Sequence, residues 1–127
     1  VWFKNHHVLK QIFLTKGSRS SLQYHKDKLE TNYFVEGKAG IIKNYVIDNS
    51  LSLLEQVESA AREDWSKFVI EHGPRDWCTF VPGDVHRIIA KTDFLAYEVS
   101  TPELDDVIRL HDDKGRHHGR ITEEHLK

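Results

Sequence analysis

The sequence predicts an all-β protein, a sandwich or barrel of short strands with one inserted α-helix. Three observations carry this reading. Short runs rich in β-branched and aromatic residues recur along the chain, with glycine, proline or charged turns between them. One stretch in the middle spaces its apolar residues at the period of a helix instead. Early in the chain, the run GSRSSLQYHKDKLETNYFVEG sets glutamine, histidine and glutamate between two glycines, with the spacing G-x5-Q-x-H-x4-E-x6-G.

Taken in order, HHVLKQIFLTKG reads as a strand ending at Gly17, and SLQYH, ETNYFVEG and GIIKNYVI continue the pattern. Leu54, Val57, Ala61, Trp65 and Phe68 then recur at helical spacing, and Ser52-Leu-Leu-Glu55 has the form of a capping box. A helix is expected at about 51–65, within an insertion of about 49–67, packed on the outside of the barrel. KFVIE, WCTFV, HRIIA and FLAYEV follow as strands, divided by Gly73-Pro74, Pro82-Gly83 and Lys91-Thr92-Asp93. The polar tail, about 103–127, is expected to form a short helical turn and then an irregular end. No internal repeat or low-complexity tract interrupts the chain, and residues 1–127 read as one domain.

Composition narrows the function. Apolar residues make up 39% and charged residues 30%, the balance of a soluble globular domain large enough to form its own core. A net charge of −2 favours neither nucleic acid nor an anionic membrane, and no segment has the length of a transmembrane helix. The single cysteine, Cys78, rules out an internal disulfide and suits a reducing cytoplasm, the expected location. Within the apolar run WCTFV it reads as a buried thiol rather than a nucleophile. Nothing at the start has the form of a signal peptide, and the opening Val-Trp reads as a trimmed fragment.

The glycine-framed run carries the chemistry. On an extended strand Gln23 and His25 point to the same face. A tight turn at Lys26-Asp27-Lys28 returns Glu30 beside them, and His86, in VPGDVHRIIA, completes a set of two imidazoles, one carboxylate and one amide oxygen. Such a set suits a borderline divalent ion, Zn first, with Mn, Fe, Co or Ni as alternatives. Each residue alone would read as surface polarity. Asn32 and Phe34 share the face of Glu30 and are expected to line the same cavity, although Phe34 also reads as plain barrel core.

These two runs resemble the two motifs of the cupin superfamily. SLQYH with Glu30, then HRI, then AYEVSTPELDDVIRLHDDKGR are similar to the mannose-6-phosphate isomerase-like (type II) group, over about positions 8–47 and 79–116. The resemblance implies a small cupin β-barrel (a double-stranded β-helix of jelly-roll type) with Gln23, His25, Glu30 and His86 on the metal-ligand positions. It departs from the family's pattern at Lys28, where arginine is usual, at Ala90 in place of asparagine, and at Lys114 in place of tyrosine. Lysine keeps the charge there but loses the planar fork that grips phosphate or carboxylate.

The resemblance further implies aldose–ketose isomerisation of a phosphorylated sugar, which moves a proton between adjacent carbons. Glu98 is offered as the base, expected to point inward with Ala96 and Ser100. It could equally be a partner of His86 or a solvated group. Lys28, Arg87 and Arg109 are the cations available to an anionic substrate, with Lys28 also a catalytic candidate and Arg19 a loop residue. Other cupin chemistry (epimerase, oxygenase or lyase) and a metal- or sugar-binding module without catalysis stay open. A C2 homodimer is expected, built on the β-rich start from Val1 to Leu14, with the apolar stripe of the helix as a further contact. The pairs His6-His7 and His117-His118 read as surface groups, His72 and His111 as turn and tail residues, and Trp2, Trp65 and Trp77 as packing residues.

Overall fold

The computed structural model describes residues 2–4, 7–103 and 106–118, and the backbone alone at 2–4. The strands are β1 (Trp2–Lys4), β2 (His7–Leu14), β3 (Leu22–His25), β4 (Glu30–Glu36), β5 (Ala39–Val46), β6 (Val69–His72), β7 (Trp77–Phe80), β8 (Asp84–Ala90), β9 (Phe94–Ser100) and β10 (Val107–His111). Helix α1 (Leu53–Arg62) and a 3-10 turn (Trp65–Phe68) lie between β5 and β6. The strands form two five-stranded antiparallel sheets, ordered β1-β2-β9-β4-β7 and β10-β3-β8-β5-β6. This is the all-β architecture with one inserted helix that the sequence predicts.

The two sheets differ in what covers them. In the first, residues alternate between buried and more exposed along β4, β7 and β9, as expected where one face meets the core and the other does not. Phe34, Phe80, Phe94, Ile41, Ile88 and Ala96 fill the space between the sheets. In the second sheet, β5 and β8 carry unbroken buried runs, because both faces are covered. Its outer face holds a second cluster of Leu22, Tyr24, Ile42, Val85, Ile108 and Leu110, against which Val57, Ala60, Trp65 and Phe68 pack. Between β4 and β5, Gly37 takes φ +84°, and a Cβ there would lie 2.0 Å from the Asp93 carbonyl oxygen, so the turn admits glycine alone.

Two sequence expectations are corrected. The charged flanks of ELDDVIRLHDDKGR suggested a helical turn, but Val107–His111 is strand β10, paired with β3 through Val107↔His25, Ile108↔Tyr24 and Arg109↔Gln23. Without it the backbone groups along that side of β3 would lack ladder partners, and the apolar residues Val107, Ile108 and Leu110 are all buried there. Residues 119–127 of the predicted tail lie outside the described residues. The helix forms with its capping box, Ser52 with Glu55, but turns a different face inward. Leu54 is 67% exposed and Ala61 is exposed, whereas Gln56 and Ala60 are buried.

Polar pairing explains the helix rotation. The buried Tyr24 hydroxyl donates to Gln56 Oε1 (2.7 Å), and Gln56 Nε2 donates to the carbonyls of Asp48 (3.3 Å) and Leu51 (3.4 Å). Presenting Leu54 instead would leave that hydroxyl without its partner inside an apolar cluster. Replacing Gln56 with alanine should therefore cost about 1–3 kcal/mol in urea unfolding. An unchanged unfolding midpoint would show that water serves Tyr24 equally well.

Candidate metal centre

The centre joins the two sheets. Strand β3 ends at His25, the chain turns through Lys26–Leu29, and β4 opens on Glu30 in the other sheet. His86 arrives from β8, opposite Gln23 in the register. Asp106, just before β10, fixes the turn: its Oδ2 accepts the backbone N–H groups of Asp27 (2.7 Å) and Lys28 (2.8 Å). Its Oδ1 lies 3.3 Å from His25 Nδ1.

Glu30 Oε1 lies 2.8 Å from His25 Nε2 and 3.1 Å from His86 Nε2, and all three residues are buried. Each imidazole has a partner for its other nitrogen, Asp106 for His25 and the Asp84 carbonyl at 2.9 Å for His86. Those acceptors assign the proton to Nδ1, which leaves both Nε2 lone pairs aimed at an oxygen that can only accept. Phe80 stacks on the His86 ring at 4.1 Å and 8°, fixing its plane. Three converging lone pairs repel unless a proton or a cation lies among them. His25 Nε2 and Glu30 Oε1 indeed make no hydrogen bond among the described residues. The donor set therefore fits a divalent ion held by His25, Glu30 and His86, whose ligand atoms all lie within 4.8 Å of one another.

Electrostatics agree. Burial opposes ionisation of Glu30, but the two imidazoles and the Lys28 charge hold its carboxyl well below the usual range. Burial likewise opposes a charge on His86, yet Glu30 raises its pKa. The pocket thus favours positive charge at the point where the three atoms meet.

Lys28 and Glu98 line the same lumen. Lys28 Nζ lies 2.8 Å from Glu98 Oε2, with both side chains buried. Glu98 is pushed up to about 7, first by burial and then by the nearby Glu30 charge, with Lys28 opposing. Burial works against the Lys28 charge, but Glu30, Glu98 and Asp106 outweigh it and raise its pKa. Asn32 and Ser100 face in beside them, their Oδ1 and Oγ without hydrogen-bond partners among the described residues.

The remaining candidates divide. Gln23 reaches the centre, but its Oε1 accepts from Ser21 Oγ and its Nε2 lies 3.5 Å from His86 Nε2, so the amide nitrogen faces the site. Rotation of that amide would present the oxygen. Arg109 pairs with Gln23 across β10 and β3 and so shares its face, while one guanidinium nitrogen donates to the His117 carbonyl. Arg87 is a correction. It follows His86 on an extended strand and points the other way, donating to the Ser20 carbonyl (2.8 Å) and lying against His111 (2.8 Å). Burial and the charge of Arg19 bring its pKa down to about 10. Arg19 itself is paired with Asp113.

Of the other histidines, His72 and His111 depart from the sequence reading as turn and tail residues, since they end strands β6 and β10. His7, His117 and His118 are exposed, and His6 lies outside the described residues. Trp65 packs on Tyr45 and Phe68, but Trp77 is 66% exposed. Sequence reasoning missed Asp106, because an aspartate in an acidic stretch gives no sign that it will cap a turn some 80 positions earlier.

No family model matches the chain, and no curated protein does either. Solved structures do. A sugar phosphate isomerase from a cupin superfamily, from Silicibacter pomeroyi, matches with TM-score 0.58 and 16% identity over 82% of this chain and 56% of its own. A double-stranded β-helix protein of Klebsiella pneumoniae gives 0.62 and 16% over 86% and 74%. KdgF from a Halomonas species gives 0.58 and 14% over 80% and 75%. The fold is that of the cupins. The chain spans little more than half the length of the Silicibacter isomerase.

Replacing His25 and His86 together with alanine should abolish stoichiometric metal, measured by elemental analysis, while the circular dichroism spectrum keeps its β character. Asp106→Asn should weaken metal affinity by about 10–100-fold, the usual effect of losing the group that orients a ligand histidine. Full metal content in the double variant would remove the site from consideration.

Proposed function

We propose that the protein is a metal-dependent isomerase of a phosphorylated sugar. The observation that carries this reading is the Lys28–Glu98 pair, a buried carboxyl 2.8 Å from an ammonium on the wall of the His25–Glu30–His86 lumen. Isomerisation needs a group that takes a proton from one carbon and returns it to the next, and a carboxylate held in place on the lumen wall can do both. Zinc, or another divalent ion of this class, would polarise the substrate carbonyl. Glu98 takes the carbon-bound proton at its carboxylate. Lys28 holds that carboxylate in place and, with Arg109, supplies positive charge for an anionic substrate. Asn32 and Ser100 offer an amide oxygen and a hydroxyl to the sugar's own hydroxyl groups. The sugar phosphate isomerase among the similar structures supports the substrate class.

Glu98→Gln keeps the size of the side chain and removes the proton acceptor, so turnover should fall by about 10²–10⁴-fold with metal content intact. Lys28→Ala should lower turnover and raise the Michaelis constant together, because it removes both the partner of the base and a substrate charge. The assay is a panel of hexose and pentose phosphates with the metal-loaded protein. Bound metal with no isomerised product from any of them would favour a binding module instead.

We further propose a C2 homodimer formed through the outer face of the first sheet, in a cytoplasmic protein. β1 pairs with β2 of its own chain, so the face rather than an exchanged strand is the contact. Leu9↔Val99, Tyr33↔Tyr97 and Tyr33↔Trp77 align side by side on that face, with Phe13 nearby. Phe13 is 60% exposed, and none of Leu9, Gln11, Phe13, Thr31, Tyr33, Tyr97, Val99, Trp77 and Thr79 is charged. Light scattering should give twice the chain mass at micromolar concentration, and Tyr33→Glu with Trp77→Glu should give the monomer. A monomeric wild type would count against the contact.

A further inference from the structure

A second constellation lies on the far wall of the barrel, where edge strand β6 of one sheet meets edge strand β7 of the other. Cys78 on β7 places its Sγ 3.6 Å from His72 Nε2 at the end of β6. Lys43 on β5 places its Nζ 2.9 Å from the same Nε2 and 3.6 Å from the same Sγ. Asp76 Oδ2 lies 3.2 Å from His72 Nδ1 and accepts the N–H of Gly73 at 3.0 Å. Nucleophile, base and orienting carboxylate thus stand in sequence, with an amine beside the nucleophile.

The arrangement exceeds what packing needs. A buried cysteine among Phe34, Phe80 and Ile41 would be satisfied as a small apolar residue. Here burial raises the thiol pKa, with Lys43 opposing, so the resting sulfur keeps its proton and needs a base to lose it. Asp76 stays ionised, chiefly through the Gly73 N–H, and holds the His72 proton on Nδ1, which leaves the Nε2 lone pair as an acceptor shared between Lys43 Nζ and the Cys78 thiol. The cluster reaches solvent on its Asp76 side: Asp76 is half exposed and the His72 side chain is 12% exposed, while Cys78 itself is buried.

We propose that Cys78 is a peroxide-reactive thiol that closes a covalent link to Lys43. His72 Nε2 takes the thiol proton, and Sγ attacks one oxygen of hydrogen peroxide. The S–O bond forms as the O–O bond breaks, and the departing hydroxide takes the proton back from His72 and leaves as water. Sulfur is oxidised to the sulfenic acid and peroxide is reduced. Lys43, with Nζ 2.9 Å from His72 Nε2, passes its ammonium proton through that nitrogen to solvent. The resulting amine attacks Sγ, an N–S bond forms, and the S–O oxygen leaves as a second water with a further proton from nitrogen. Thiol, amine and one peroxide thus give a sulfenamide and two waters. The link joins β5 to β7, and so ties the two sheets at a seam where β6 and β7 do not pair. A thiol reductant reverses it.

The test is intact-mass spectrometry and peptide mapping of the purified full chain after stoichiometric hydrogen peroxide. The wild type should lose about 2 mass units, the change expected when a thiol and an amine join by losing two hydrogens. Mapping should recover a Lys43–Cys78 linked peptide, and dithiothreitol should restore the original mass. Lys43→Arg keeps the charge but has no primary amine, so it should stop at a sulfenic acid that dimedone traps. His72→Gln should slow the reaction of the wild-type thiol by at least about tenfold, as expected for loss of a positioned base. An unreacted Cys78, or one that passes straight to the sulfinic acid at equal rates in wild type and Lys43→Arg, would overturn the proposal. Both readouts are masses and depend on neither metal loading nor isomerase activity.

Discussion

Three lone pairs meeting between two facing sheets set the terms for the rest of this molecule. His25 Nε2, His86 Nε2 and Glu30 Oε1 come from both sheets, and they can share one volume only with positive charge between them. Everything around them serves that condition. Asp106 and the Asp84 carbonyl hold the imidazole protons on the far nitrogens, and Phe80 locks one ring by stacking. The charges point the same way. Lys28 faces Glu30, Glu98 and Asp106, so three carboxylates stand against one ammonium and leave an excess of two negative charges. A divalent cation would balance that excess. The high Glu98 pKa is what the lumen adopts when a proton has to supply part of the balance.

Much of the centre was legible in the sequence because it obeys local rules. Gln23 and His25 share a face by the two-residue period of a strand, and Glu30 returns after a turn short enough to recognise. Glu98 was legible for the same reason, since alternation along FLAYEVS fixes its direction. The same rule should have excluded Arg87, which follows a ligand on its strand and must face away from it. A long side chain with a positive charge was read for its chemistry before its direction.

What stayed hidden depends on partners distant in sequence. The inward face of α1 follows from the need of one tyrosine hydroxyl, so the more apolar stripe gives way to Gln56. The final strand was concealed because its five residues are bracketed by charge, and its pairing is dictated by an edge of β3 laid down much earlier. The Lys43, His72 and Cys78 cluster is of the same kind. Each residue sits in an ordinary strand context, and only the closing of the barrel brings them together.

Asp106 gives the chain an order of events. The turn that sets His25 against Glu30 is tied by a residue some 80 positions later, at the entry to the last described strand. On a ribosome, the chain leaves with both first-motif ligands in hand long before that tether emerges. Closing so long a loop costs entropy that the early strands cannot recover on their own. The turn that joins His25 to Glu30 therefore stays untethered in a nascent chain until synthesis has passed β10, and the geometry of the centre is among the last features of the fold to be fixed.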